Sequence, residues 1–155
     1  MKQKTVRDSE VTITELMIPS YANFGGKVHG GILLGLMDKV AYVCASKHSG
    51  SYCVTVAVEG VEFLSPVEVG ELVSLKACVN YVGRTTMIVG IRVESLQPQT
   101  GVLKHTNSCY FTMAAKDATG GLCEVPRLYW KTKPSCAGFV KARRYADCRC
   151  KSAST

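Results

Sequence analysis

Asn23-Phe24-Gly25-Gly26-Lys27-Val28-His29-Gly30-Gly31, followed by Ile32-Leu33-Leu34-Gly35-Leu36-Met37-Asp38, is the stretch on which the reading of this chain turns. A glycine-rich turn runs straight into an apolar helix that holds one carboxylate. Apolar positions continue through Val40, Ala41, Val43 and Cys44 and stop before Ser49-Gly50-Ser51, which predicts a helix over residues 30–47. At 1.5 Å per residue such a helix is about 27 Å long, enough to cross a sheet. Apolar side chains lie nearly all round it, so it is expected to be enclosed rather than laid on a surface. An ionised Asp on an enclosed helix is costly unless it is partnered or used. The helix start offers unpaired backbone N–H groups at the positive end of the helix dipole. Asp38 is therefore the candidate base. Gly30 and Gly31 are the candidate oxyanion cradle, where missing side chains let a carbonyl oxygen come close. The residues alone leave a structural role open for each: Asp38 bonded to a backbone N–H or to Tyr42, the glycines as packing residues, His29 as a ring packed at the helix start, and Asn23 as a turn residue.

After the helix the pattern alternates. Val54 to Glu59 alternates strictly, Gly60 marks a bulge or bend, and Val61 to Leu64 continues the strand. Residues 72–82, 86–96 and 102–115 read as further strands, separated by a tight turn at Gly83-Arg84 and a second turn around Pro98. A first strand is expected at residues 11–17, a loop at residues 19–27, and a last short extended piece at residues 122–129. One long helix followed by an antiparallel meander predicts an α+β fold with the sheet wrapped on the helix.

The 155 residues fit one domain, read as residues 1–130, with residues 131–155 as a basic tail. The tail carries seven basic residues and one acid, while the rest carries twelve and eleven. Only the tail invites a phosphate-bearing or acidic partner; it is expected to be a solvated end, flexible or partly helical. The body gives no sign of nucleic-acid binding. Residues 1–20 lack the apolar run of a secretory signal. The longest apolar stretch is broken by Gly35, Asp38 and Lys39 and is too short to span a bilayer. A cytoplasmic protein without a membrane segment is expected, and its eight cysteines read as free thiols. Cys148-Arg149-Cys150 lacks the spacing of a zinc site, so no metal is expected.

Nucleotide chemistry of the common kinds is excluded. Gly26-Lys27-Val28 lacks the hydroxyl residue that follows the Lys of a phosphate loop. No glycine fingerprint sits in a parallel strand–helix–strand unit, and no G-x-S-x-G elbow is present. Arg84-Thr85-Thr86, just after Gly83, fits either an exposed hairpin or an anchor for a phosphorylated substrate.

The segment from Asn23 to Asp38, the run Glu59-Gly60-Val61-Glu62-Phe63-Leu64-Ser65-Pro66-Val67, the turn Val82-Gly83-Arg84-Thr85-Thr86 and residues 106–121 together resemble the hotdog-fold acyl-CoA thioesterases. The resemblance spans residues 10–130 and is greatest to the YciA-type bacterial branch. It implies an antiparallel sheet of about five to six strands around one central helix. It implies hydrolysis of acyl-CoA to free CoA and a fatty or short-chain carboxylic acid, with no cofactor beyond the CoA of the substrate. It implies a homodimer joined sheet edge to sheet edge, assembled further as a trimer of dimers. In that scheme Asp38 is general base or nucleophile, the N–H of Gly30 or Gly31 holds the oxyanion, and Asn23 positions water or substrate. His29 lies beside the substrate, Thr55 and Val56 line the pocket from the partner's strand, and Gly83, Arg84, Thr85 and Thr86 face the CoA nucleotide. Two other uses of the fold stay open: hydration or dehydration of an acyl thioester, with His29 as the acid's partner, and CoA binding without turnover.

Overall fold

The helix expected at residues 30–47 forms over Gly30–Ser49 in the computed structural model, which describes residues 2–129. The tail of residues 131–155 lies outside the described residues. In chain order the elements are β1 (Lys4–Thr5), α1 (Val6–Ser9), β2 (Val11–Leu16), a 3₁₀ turn (Pro19–Tyr21), α2 (Gly30–Ser49), β3 (Tyr52–Phe63), β4 (Leu72–Val82), β5 (Thr86–Leu96), β6 (Leu103–Lys116) and β7 (Leu128–Tyr129). Gly50 ends α2 because it takes the left-handed conformation (φ 71°) that side-chain-bearing residues avoid, and its N–H bonds Ser46 O at 2.8 Å. Lys4 Nζ donates to the carbonyls of Lys47 (3.0 Å) and His48 (2.8 Å), which puts a cation on the negative end of the helix.

Five strands form one antiparallel sheet in the order β2-β4-β5-β6-β3, leaving β2 and β3 as its edges. The α+β expectation therefore holds, with five strands wrapped on α2. The helix-facing side chains include Leu75, Val79, Val89, Phe111 and Met113, and they pack with Leu33, Met37, Val40, Ala41 and Cys44 of α2 into one core. β3 contains the expected irregularity. Its register against β6 shifts between Thr55 and Ala57 and again between Glu59 and Glu62, where Gly60 sits at φ 62°.

Two expectations are corrected. First, α2 is not enclosed by its own chain. Gly31, Gly35, Asp38, Lys39, Tyr42 and Val43 form an exposed outer face, because a single sheet covers only one side of a helix. Second, the extended piece at residues 122–129 contributes only β7 to a strand. β7 pairs in parallel with β1, joining Lys4 to Leu128 and Thr5 to Tyr129. Elements of two and four residues, such as β1 and α1, show no period that a sequence could display.

The segment before β7 is tied down by His48, whose ring Nε2 lies 2.8 Å from Pro126 O. Burial pushes this imidazole below its ordinary pKa. Cys44, Cys53, Cys109 and Cys123 are free thiols, and burial pushes Cys44 and Cys109 up to about 12, so both are inert. Cys136, Cys148 and Cys150 lie outside the described residues. Among the described residues, no helix is long and apolar enough to cross a membrane.

Candidate functional site

The glycine-rich turn is held by Asn23. Its side-chain Oδ1 accepts from the N–H groups of Gly25 (2.9 Å) and Lys27 (3.2 Å), and its own N–H bonds Lys27 O at 2.7 Å. Gly26 closes the turn at φ 77°, a conformation glycine adopts without strain. Val28 N bonds Val67 O (2.9 Å) and His29 N bonds Tyr21 O (2.8 Å), so both flanks are pinned before the helix starts. The acceptor end of the Asn23 carboxamide is thus spent on the turn, in an exposed residue.

His29 is the N-cap of α2. Its ring Nδ1 accepts from Gly31 N at 3.0 Å, a use of the side chain that the sequence reading did not foresee. Ile32 N and Leu33 N both reach His29 O. Of the first-turn donors, Gly30 N–H is the one that meets no protein acceptor among the described residues. Between the two glycines proposed as oxyanion donors, the geometry separates a committed N–H at Gly31 from an available one at Gly30. Gly30 also lies against the Phe63 ring: a Cβ built there would sit 3.6 Å from two ring carbons.

Asp38 is two turns further on, about 12 Å along the axis from Gly30. It lies on the exposed outer face of α2, so the burial expected for it is not supplied by its own chain. Its partner is neither Tyr42 nor a backbone N–H. Thr55 Oγ1 donates to Asp38 Oδ1 at 2.6 Å and also touches Met113 Sδ at 3.4 Å. Tyr42 instead faces Tyr52, with ring centroids 6.0 Å apart. Thr55 therefore reaches the Asp38 carboxylate within its own chain. β3 follows α2 across a two-residue loop, Gly50-Ser51, and runs back beside it, and that geometry brings Thr55 to the helix. Val56, the next residue, is exposed at the bulge.

The turn at residues 83–86 is built from backbone bonds: Gly83 N to Thr86 O (2.8 Å), Ala115 N to Thr85 O (2.9 Å) and Val125 N to Arg84 O (3.0 Å). A Cβ on Gly83 would meet Thr86 Oγ1 at 2.9 Å, so a side chain there would displace that hydroxyl. Arg84 is exposed and makes no ion pair among the described residues. Met87 pairs with Met113 and Met113 with Thr55, so the turn and Asp38's partner sit at one level of the sheet, about 10 Å apart by strand spacing.

Within one chain, then, the site residues form three groups that do not touch: Asn23, His29, Gly30 and Gly31 at the helix start, Asp38 with Thr55 at mid-helix, and Gly83 to Thr86 at the sheet end. Among the described residues they offer a backbone N–H without a protein acceptor at Gly30, a carboxylate bonded through Oδ1 at Asp38, and an exposed guanidinium at Arg84. Among the described residues no three His, Cys, Asp or Glu side chains cluster as a metal site.

The profile of the Thioesterase superfamily matches residues 25–102, from the glycine-rich turn through β5. Protein VdlD of Helicobacter pylori is 42% identical over 141 residues, which cover 91% of this chain and 77% of that protein. An uncharacterised acyl-CoA thioester hydrolase of Zymomonas mobilis is 31% identical over 125 residues, covering 76% of this chain and 78% of its own. The crystal structure of an apo-hexameric acyl-CoA thioesterase matches with a TM-score of 0.90 at 31% identity, over 99% of this chain and 98% of that one.

Proposed function

The chain belongs to the thioesterase superfamily, and from that premise we propose that it hydrolyses acyl-CoA thioesters to free CoA and a carboxylic acid. The observation that carries the reading is the Thr55–Asp38 bond, 2.6 Å long, on the only carboxylate of α2. The hydroxyl fixes one carboxylate oxygen and leaves the other for a water molecule. Asp38 takes a proton from that water as it attacks the thioester carbonyl carbon. The carbonyl oxygen becomes an oxyanion held by Gly30 N–H at the positive end of α2. The C–S bond then breaks, and the proton returns to the CoA thiolate. No cofactor is needed beyond the CoA that the substrate brings. Arg84 supplies the charge for the CoA phosphates, and the Asn23 NH2 orients water or substrate.

The three groups need bringing together, and a second copy does this. β3 is a long exposed edge bearing Tyr52, Val56, Val58 and Phe63, beside the exposed Tyr42 and Val43 of α2. An edge of that length and character is a template for pairing. Two chains joined along β3 cover the outer faces of both helices, so that Asp38 of one chain meets the helix start of the other. Val56 then lines the pocket from the facing strand. Further assembly as a trimer of dimers follows the hexameric structural relative. The free thiols of Cys44, Cys53, Cys109 and Cys123 support a reducing, cytoplasmic location.

The test is release of free CoA from acyl-CoAs of graded chain length, with wild type and Asp38→Asn. The expected outcome is turnover by wild type and a loss of roughly 10²–10⁴ in rate for the variant, the size of a general-base contribution. An Asp38→Asn enzyme working at the wild-type rate would remove Asp38 from the chemistry. Hydration of crotonyl-CoA without CoA release would reassign the fold to hydratase work.

A further inference from the structure

One row of helix-facing side chains crosses the sheet beneath the start of α2. Read along the register it is Ile13, Leu75, Val93, Asn107 and Phe63. Four are apolar and one is a carboxamide. Asn107 is 0% exposed, and neither Oδ1 nor Nδ2 has a protein partner. Its buried polar neighbours behave differently. Ser95 donates to Glu71, which also takes bonds from Glu68 N (3.0 Å) and Lys104 Nζ (3.1 Å), and Thr106 Oγ1 donates to Val93 O (3.3 Å). Burial alone would raise the Glu71 carboxyl, but these donors outweigh it and hold the pKa below the ordinary value. That cluster is complete. Asn107, one strand away, has two donors and two acceptor sites unmet by protein.

Its position gives the missing partner a chemistry. Asn107 pairs directly with Phe63, and the Phe63 ring lies against Gly30, whose N–H is the available oxyanion donor. Phe63, 54% exposed, is thus the residue that links the two, paired with Asn107 in the sheet and in contact with Gly30 at the helix start. A thioester carbonyl seated on Gly30 N–H directs its acyl chain past that ring. We infer that Asn107 is a specificity-determining residue at the floor of the acyl subsite, selecting acyl chains that carry a hydroxyl or keto oxygen at carbon three over unsubstituted chains of equal length. The carboxamide suits either oxygen, because its NH2 donates to a keto group and its carbonyl accepts from a hydroxyl. A saturated chain in the same place leaves both ends unpaired, which is how polar sites discriminate.

The inference rests on the thioesterase reading, and one experiment separates them. The kcat/KM values for 3-hydroxybutyryl-CoA, acetoacetyl-CoA and butyryl-CoA are compared in wild type, Asn107→Val and Asn107→Thr, with melting temperatures alongside. Val and Thr share one shape and differ by a hydroxyl, so both fit a strand position. Wild type is expected to prefer the oxygenated substrates about tenfold or more. Asn107→Val is expected to lose that preference, with kcat/KM falling for the oxygenated substrates and rising for butyryl-CoA, at an unchanged or higher melting temperature. Asn107→Thr is expected to keep part of it. A flat wild-type ratio, or a ratio unmoved by Asn107→Val, overturns the inference while leaving the hydrolase reading intact. Failure to hydrolyse all three esters overturns both.

Discussion

Met37 and Asp38 are neighbours in sequence and opposites in the fold. Met37 faces inward, 0% exposed, against Cys109 of β6, with Leu33, Val40, Ala41 and Cys44 on the same side of α2. Asp38 faces outward with Gly35, Lys39, Tyr42 and Val43, and is held by a single bond from Thr55. The inner face is covered by the chain's own sheet. The outer face mixes Gly35, Tyr42 and Val43 with the charges of Asp38 and Lys39 and is left open by that chain. The difference explains why the helix reads as apolar all round: its sequence answers to two coverings, one of which this chain supplies. In the proposed dimer the second copy supplies the other.

Two substitutions one residue apart test that division. Asp38→Asn carries the largest expected effect, the activity loss stated above, while a surface change of this kind shifts stability by only about 0.5 kcal/mol. Met37→Ala is expected to do the reverse. Removing a buried Met costs about 2–5 kcal/mol, readable as a lower denaturation midpoint, while the folded fraction keeps most of its activity. An Asp38→Asn protein that unfolds as readily as Met37→Ala would make Asp38 a structural residue and collapse the comparison.

The second covering is tested at the edge. Val58 lies on β3, 41% exposed, in register with Phe111. Val58→Lys places a charge where a facing strand would pair, a device by which natural edges prevent association. The expected outcome is a halved mass or smaller in sedimentation, with CoA release falling as Asp38 loses the facing helix start. Full-size particles with wild-type activity would move the interface away from β3.

How much of this was legible in the sequence follows from which signals are periodic. The helix and the long strands announced themselves by repeat, and Gly60 announced its bulge because a glycine inside an alternating strand has few other uses. β1, α1 and β7 are too short for any period, and the β1–β7 pairing joins residues more than 120 positions apart. The exposure of Asp38 was misread for a different reason. Composition records how much of a helix will be covered, but not whether the cover comes from the same chain. The resemblance makes Thr55 a pocket residue, yet its bond to Asp38 in the same chain depends on β3 running back beside α2, which no spacing encodes. Asn107 carries no signal in the sequence, because an Asn among strand residues belongs to no pattern. Its interest arises only when the register places it in a row of apolar side chains.

His29 gives the smallest effect, and it sharpens the contrast at the helix start. Its ring Nδ1 occupies Gly31 N–H at 3.0 Å, while Gly30 N–H is left over. A Cβ on Gly31 would stand 3.2 Å from that same nitrogen, so ring and glycine fit each other closely. His29→Ala frees Gly31 N–H and is expected to cost about 1 kcal/mol, the usual cost of a lost N-cap. In a chain of this length that lowers the melting temperature by about 2–4 °C. Because Gly30 N–H keeps its place, kcat is expected to fall far less than in Asp38→Asn. A loss of kcat matching that variant, at an unchanged melting temperature, would make the imidazole a participant in the reaction. The helix start would then rank with mid-helix as a source of chemistry, where the present geometry makes it a source of position and partial charge.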